Sequence, residues 1–372
     1  MEILDGIEMK QYTNGELPAK LKAMRGHLIL KMLPMAKAAL EAYFRPGHVL
    51  EKYKSALPDE NKRLDAFAAN DRSLQAQAVA LTDFLTFFYG DYGIPMILAA
   101  QLAQRRFKGI FKAEAVQIKD HLINLGIALP GNKTTEMGEA MYTLAVSPEF
   151  KQYDSAADFL SALEQGSVNL DFAHRWESFL TEFGFRCPGE IDPATTRPSE
   201  SPARLFEQIK NMVSDGSDSF FDLARAKREA AYQALYAIAL KKGRRKARAF
   251  ERYYNRWLTF GGYRETPKHY VIKVISLFRR QVLAIATELV TAGRLDCPEQ
   301  VFDLTIADID QAIVDPTLDL RALGKERSAP INKIRRSKLT VRVIDSRGKI
   351  YYPPRKVTAD GEFSGVPISP GV

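Results

Sequence analysis

The amino-acid sequence predicts a mainly α, multi-helix fold with a small β-hairpin near the C-terminus. Three observations carry that prediction. Apolar residues recur at three- and four-residue spacing through most of the chain, as an amphipathic helix requires. Gly, Pro and Asn fall between those stretches rather than within them. Strand-like patterning is confined to Leu339-Thr340-Val341-Arg342-Val343-Ile344 and Lys349-Ile350-Tyr351-Tyr352, which flank the turn Asp345-Ser346-Arg347-Gly348.

Taken in order, 20–45 reads as helix, with Pro34 expected to kink or divide it. Leu64, Phe67, Leu74, Ala78, Leu81, Phe84, Leu85 and Phe88 form one stripe, expected as a single helix that ends at Gly90-Asp91-Tyr92-Gly93. Helical patterns follow at about 95–108, 113–125, 134–146, 155–165 and 170–183. Between Gly184 and Pro202 the pattern fails, and four prolines in nineteen residues read as an ordered turn-rich loop or a linker. Helix returns at 203–213 and runs from Phe220 to about Thr259. Pro267 opens a last long helix with Thr266 as its expected N-cap, and its stripe of Val271, Val274, Ile275, Phe278, Val282, Ile285 and Leu289 is closed by Gly293. The chain then divides as an N-terminal helical subdomain (1–184), the loop (185–202), a second helical subdomain (203–332), the hairpin segment (333–360) and a Gly/Pro/Ser-rich linker (361–372).

Composition bounds the function. With 372 residues, 46% hydrophobic and 26% charged, the chain is long and apolar enough to bury a core. No apolar run approaches the ~18 residues of a membrane span, and Met1-Glu2-Ile3-Leu4-Asp5 lacks a secretory pattern, so a cytoplasmic protein is expected. Cys187 and Cys297 stand far apart, which excludes a disulfide framework, and no Cys/His pair has the spacing of a zinc site. The net charge of +8 is modest for this length, but it is concentrated. Eleven Lys/Arg lie between Arg225 and Arg256 against Glu229 and Glu251, and nine lie between Lys333 and Lys356 against Asp345. The aromatics within the first stretch, Tyr232, Tyr236, Tyr253, Tyr254 and Trp257, alternate with Ala, Leu and Ile and are expected in the core, which favours a solvated face over a nucleic-acid surface.

The most informative window is Gly261-Gly262-Tyr263-Arg264-Glu265-Thr266-Pro267-Lys268-His269-Tyr270. Two glycines allow close backbone approach, and Arg264 and Lys268 bracket an expected helix start, where unpaired N–H groups favour an anion. A guanidinium fork and a mobile ammonium suit phosphoryl oxygens. The competing reading pairs Arg264 with Glu265 or another acid and leaves Lys268 solvated. His27, His48, His121, His174 and His269 include no metal-ligand pair, and the Gly-rich nucleotide loops and the Gly-x-Ser-x-Gly elbow are absent.

Three segments resemble one family. Phe179 to Pro193, with Gly184-Phe185-Arg186-Cys187-Pro188-Gly189-Glu190-Ile191-Asp192, is similar to the Tyr-Gly-His-Arg-x-x-Gly-Glu-Ile-Asp loop of phosphoenolpyruvate-synthase-like enzymes, rifampicin phosphotransferases among them. Gly262 to Lys268, with Asp296-Cys297-Pro298-Glu299-Gln300-Val301-Phe302-Asp303-Leu304-Thr305, resembles that family's Arg-Glu-x-x-Lys segment and Val-Phe-x-Leu turn. Gly365 to Val372 looks like the entry to its swivelling phosphohistidine domain. Phe185 and Cys187-Pro188 depart from the family's His and small residues. The likeness is clearest over 170–372.

The resemblance implies the central, acceptor-binding helical domain of a dikinase-like phosphotransferase, with the ATP-grasp and phosphohistidine domains missing and no activity alone. It implies Arg264 and Lys268 as catalytic cations, and Tyr263, Glu265 and His269 as acceptor-binding neighbours. Arg186, Glu190 and Asp192 would shape the loop. ATP and Mg would belong to the nucleotide domain, with no cofactor or metal on this chain. The implied partners are the two missing domains, in cis or trans, and a small-molecule acceptor. A non-enzymatic basic helical module that binds nucleic acid or an acidic partner is the alternative.

Overall fold

A computed structural model of the chain describes residues 33–67, 73–212, 220–336, 343–344 and 350–351. The chain divides into two units, Met32–Glu326 and a second made of Met1–Lys31 with Arg327–Val372. In the first, a helix over 33–44 (α1) is followed by α2 (Pro46–Phe67), α3 (Leu74–Phe88), α4 (Ile94–Ile110), α5 (Lys119–Asn124), α6 (Lys133–Val146), α7 (Pro148–Lys151), α8 (Ala156–Glu164) and α9 (Leu170–Phe183). After the loop come α10 (Pro202–Lys210), α11 (Phe220–Lys241), α12 (Arg244–Phe260), α13 (Thr266–Thr291), α14 (Ile306–Val314) and the start of α15 (Leu320–Arg336), whose residues from Arg327 on belong to the second unit. The fold is mainly α. In the second unit Val343–Ile344 (β1) and Ile350–Tyr351 (β2) pair antiparallel, with Val343 opposite Tyr351. The turn and flanks of the expected hairpin, and the segment 361–372, lie outside the described residues.

Local signals start many of these helices. Asn132 caps α6 by accepting from Thr134 and Thr135, Asn169 caps α9, and Thr305 with Asp308 forms a capping box on α14. Packing then sorts them into three apolar clusters. One joins α4 to α11, α12 and the start of α13, with Phe107 edge-on to both Phe250 and Trp257. A second gathers Phe150, Phe159, Phe172, Trp176 and Phe206 among α6 to α10. A third collects Val282, Ala286 and Leu289 of α13 with Leu295, Val301 and Ile309. Because α13 contributes to the first and the third, its N-terminal turn is anchored along the length of the helix.

Four expectations are corrected. The Leu64–Phe88 stripe is two helices, since α2 ends at Phe67 and Ser73 caps α3 by accepting from Ala76. Nor does Gly90-Asp91-Tyr92-Gly93 stop α3. It forms a π turn, Tyr89–Gly93, that leads straight into α4. Pro95 has no N–H, and its ring would press on the carbonyl four residues back, so a wider turn just ahead of it relieves the clash. The basic stretch from Phe220 to Thr259 is also two helices, because Gly243 adopts φ +117, a backbone open to glycine, and reverses the chain between α11 and α12.

The fourth correction is at Thr266, which is the first residue of α13 and not its cap. Gly261, the 3-10 turn Gly262–Glu265 and Thr266 all keep right-handed helical backbone, so α12 passes into α13 without a free helix start. The expected anion site on bare N–H groups is therefore absent at this point, where the Thr266 N–H already donates to the Tyr263 carbonyl.

Candidate functional site

The Gly261-Gly262 pair is where the 129–132 loop meets the α12–α13 turn. A Cβ on Gly262 would stand 2.1 Å from the Pro130 carbonyl oxygen, so only glycine fits. The Tyr263 ring in turn lies over Gly131, whose φ is +77, and packs edge-on to Tyr53. Arg228 of α11 fixes this loop from behind by donating to the carbonyls of Ile127 and Ala128. That guanidinium belongs to the basic stretch by sequence but acts as an internal brace. With helical backbone throughout, Arg264 and Lys268 lie four residues apart on one face.

Their charges are handled differently. Arg264 is 74% exposed and meets Glu265 at 2.9 Å. It also lines a cavity of about 320 Å3 with Trp257, Phe260, Leu129, Gln101 and Asn132. Lys268, 52% exposed, places Nζ 3.0 Å from Oε1 of buried Glu190. The other oxygen of Glu190 accepts from Arg186 Nε at 2.8 Å and from the Cys187 N–H at 3.1 Å. Burial pushes the Glu190 carboxyl up, but hydrogen bonds from Arg186 and Lys268 outweigh it and hold it below the ordinary range.

The 185–202 segment is thus an ordered loop. Arg279 of α13 makes a bidentate pair with Glu200 and donates to the Pro193 carbonyl at 2.6 Å, while buried Arg197 donates to the Asp192 carbonyl at 3.3 Å. The Asp192 carboxylate accepts from the Ala194 N–H. Of the residues singled out by sequence, the fold brings Arg186, Glu190 and Lys268 together, and Arg264 with Glu265.

His269 turns inward. It is 3% exposed, edge-on to Phe185 and Phe183, with Nδ1 unpartnered and Nε2 3.8 Å from Glu182. Burial drives its pKa from 6.5 to about 3, aided by the charges of Lys133, Arg186 and Lys273, so the ring is neutral. Tyr263 sits among Tyr53, Phe260 and the glycines, and burial raises its pKa.

Sequence reasoning missed Lys133, which bridges Glu182 at 2.8 Å and Glu136 at 3.1 Å beside His269. Its local signal is only Glu136, three residues on, an ordinary helix-surface pairing, whereas Glu182 lies 49 residues away along the chain. The aromatics of the basic stretch do pack against the core, with Tyr254 and Trp257 buried. Lys241, Arg244, Arg245, Lys246 and Arg248 remain exposed at the α11–α12 turn. Among the described residues no group of three His, Cys, Asp or Glu could hold a metal ion, and no helix is long and apolar enough to cross a membrane.

Residues 92–265 match the family described as the rifampicin phosphotransferase fourth domain. The match begins well upstream of the clearest resemblance in the sequence, and it contains Arg264 but ends before Lys268. Rifampicin phosphotransferase of Streptomyces sviceus is 29% identical over 262 residues, 66% of this chain and 30% of that protein. The Bacillus cereus enzyme is 29% identical over 264 residues, 65% of this chain and 29% of the relative. That of Bacillus subtilis is 28% identical over 269, covering 67% and 30%. The chain spans about 30% of the length of the curated relatives it matches. It carries a rifampicin phosphotransferase-like central domain.

Proposed function

We propose that the chain is the acceptor-binding part of an ATP-dependent, dikinase-like phosphotransferase and that it works with a nucleotide-binding and a phosphohistidine domain. The observation that carries this reading is Arg264, an exposed guanidinium on the rim of an aromatic- and amide-lined cavity, with Lys268 one turn away on the same face. The cavity volume of about 320 Å3 is at the lower end for small-molecule sites. Trp257, Phe260 and Leu129 offer an apolar acceptor a packing surface, and Gln101 and Asn132 offer hydrogen bonds to its polar groups.

In this reading ATP and Mg belong to the nucleotide domain, and the phosphoryl group arrives on a histidine of a partner domain. The acceptor hydroxyl oxygen forms the new bond to phosphorus as the bond to the imidazole nitrogen breaks, and that nitrogen takes up the hydroxyl proton. Arg264 neutralises the equatorial oxygens, held in line by Glu265, and Lys268 binds the phosphoryl oxygens or polarises the acceptor. Tyr263 and neutral His269 do not line the cavity, and they support the turn that carries Arg264 and Lys268 by packing against Tyr53 and Phe185. One charged contact of this kind is worth about 3 kcal/mol of transition-state stabilisation.

The test supplies the two partner domains with ATP and candidate acceptors. Phosphate transfer that survives undiminished in Arg264→Ala and Lys268→Ala refutes the assignment, and transfer by the chain alone refutes its dependence on partners. The exposed cations at the α11–α12 turn motivate the second reading, a polyanion-binding module. Its mark is nucleic-acid affinity that falls steeply with salt. The burial of Tyr254 and Trp257 counts against it, since those rings are not available for base stacking.

A further inference from the structure

A second cleft runs along α13 on the side of the 184–199 loop, with a volume of about 590 Å3. Leu180, Phe185 and Leu277 supply apolar lining. Lys273, Ser276 and Arg280 line it at helical spacing, so their side chains share one stripe of α13. Ser276 is 8% exposed and lines the cleft, and its hydroxyl makes no side-chain hydrogen bond to another described residue. Arg280, one turn on, is exposed and has no acidic partner among the described residues. Lys273 adds positive charge at the other end, where its Nζ donates to Asn61 at 2.6 Å. Thr181, Ser199 and Gln281 complete a polar rim.

We infer that this cleft is a binding site for an organic anion, separate from the cavity beside Arg264. The apolar body of the ligand lies on Leu180, Phe185 and Leu277, and its carboxylate, sulfonate or phosphate head meets Arg280, with the Ser276 hydroxyl as donor. An apolar surface alone would select any hydrophobe. A guanidinium without an acidic partner one turn from a hydroxyl donor, with Lys273 adding charge, favours an anionic acceptor over a neutral one. The two sites share no lining residue.

The probe is the aromatic sulfonate 8-anilinonaphthalene-1-sulfonate, titrated into the full chain and followed by its fluorescence. Saturable 1:1 binding is expected. It should weaken at least tenfold in Arg280→Glu, and likewise in Thr181→Trp, which fills the exposed rim at the end of α9. Arg264→Ala and Arg245→Glu, each retaining the fold by circular dichroism, are expected to bind as wild type. The inference is overturned by wild-type binding that is absent or unsaturable, or by Arg280→Glu or Thr181→Trp binding within twofold of wild type. Loss in Arg264→Ala overturns it by placing the probe in the other cavity, and loss in Arg245→Glu by showing general charge attraction. Because none of these readings requires phosphate transfer, failure here leaves the proposed function standing, and the converse also holds.

Discussion

The acid stability of the chain should be dominated, just below neutrality, by His269. A group whose pKa is lower when folded binds protons more readily once unfolded. Its stabilisation is therefore complete above the unfolded pKa, 6.5, and is lost as pH falls toward the folded value of about 3. At 1.36 kcal/mol per pK unit, this one ring costs the fold about 2 kcal/mol between pH 7.5 and 5. Glu190 and Glu200, whose pKa values are lowered by their arginine partners, contribute only below that window. His269→Leu has similar volume, cannot take up a proton and removes the unpartnered Nδ1. Its stability should be level over the same range, and at pH 7.5 equal to wild type or up to about 1 kcal/mol greater. Urea unfolding at pH 7.5, 6 and 5, read by Trp176 and Trp257 fluorescence, measures both chains. Parallel loss of stability in wild type and His269→Leu would show that the ring is not held neutral in the folded interior.

The remaining expectations separate packing from chemistry. Glu190→Ala leaves Arg186 buried without its carboxylate and should cost roughly 3–5 kcal/mol by denaturant unfolding, whereas Lys268→Ala removes a half-exposed partner and should cost less than about 1 kcal/mol. Equal losses would mean that Arg186 and Glu190 are not the core of the cluster. Gly262→Ala drives a methyl into the Pro130 carbonyl and should destabilise by about 2 kcal/mol or more, against no change if the loop can retreat. Arg264→Ala should lower phosphate transfer in the reassembled system by about a hundredfold to a thousandfold, with the unfolding midpoint unchanged.

The legible parts of the fold were those with local causes. α9 is bounded in the sequence by Asn169 and Gly184 because its cap and its stop are adjacent to its stripe. What escaped reading was set by distant partners or by a single backbone angle. The break at Gly243 depends on one φ, and a lone Gly between basic residues does not distinguish a reversal from a tolerated interior glycine. The continuation through Tyr89–Gly93 depends on tertiary contact, since Gly93 lets the π turn approach the Pro267 ring. At the site, the spacing of Arg264 and Lys268 conveyed their shared face. The partners of Lys268 and Lys133, Glu190 and Glu182, come from segments that meet them only after folding.

The same distinction governs the positive charge. Arg186, Arg197, Arg228, Arg279 and Arg294 are counted in the excess, yet each spends its guanidinium on interior carbonyls or carboxylates that would otherwise lack partners. They act as cross-links, so the field toward solvent is set by fewer groups, Arg264, Lys268 and Arg280 among them. Two of these stand against a carboxylate, and the geometry makes the two pairs unequal. Glu265 is an exposed-side neighbour on the same turn as Arg264, whereas Glu190 is buried, fixed by Arg186 and a backbone N–H, and cannot follow Lys268 outward. An incoming phosphoryl group would therefore meet Arg264 with its counter-ion able to move along with it. It would have to draw Lys268 away from a carboxylate that stays in place. In the proposed mechanism Lys268 would on that account be the last cation to engage the phosphoryl group, and the one whose hold on it would depend on the Arg186–Glu190 loop.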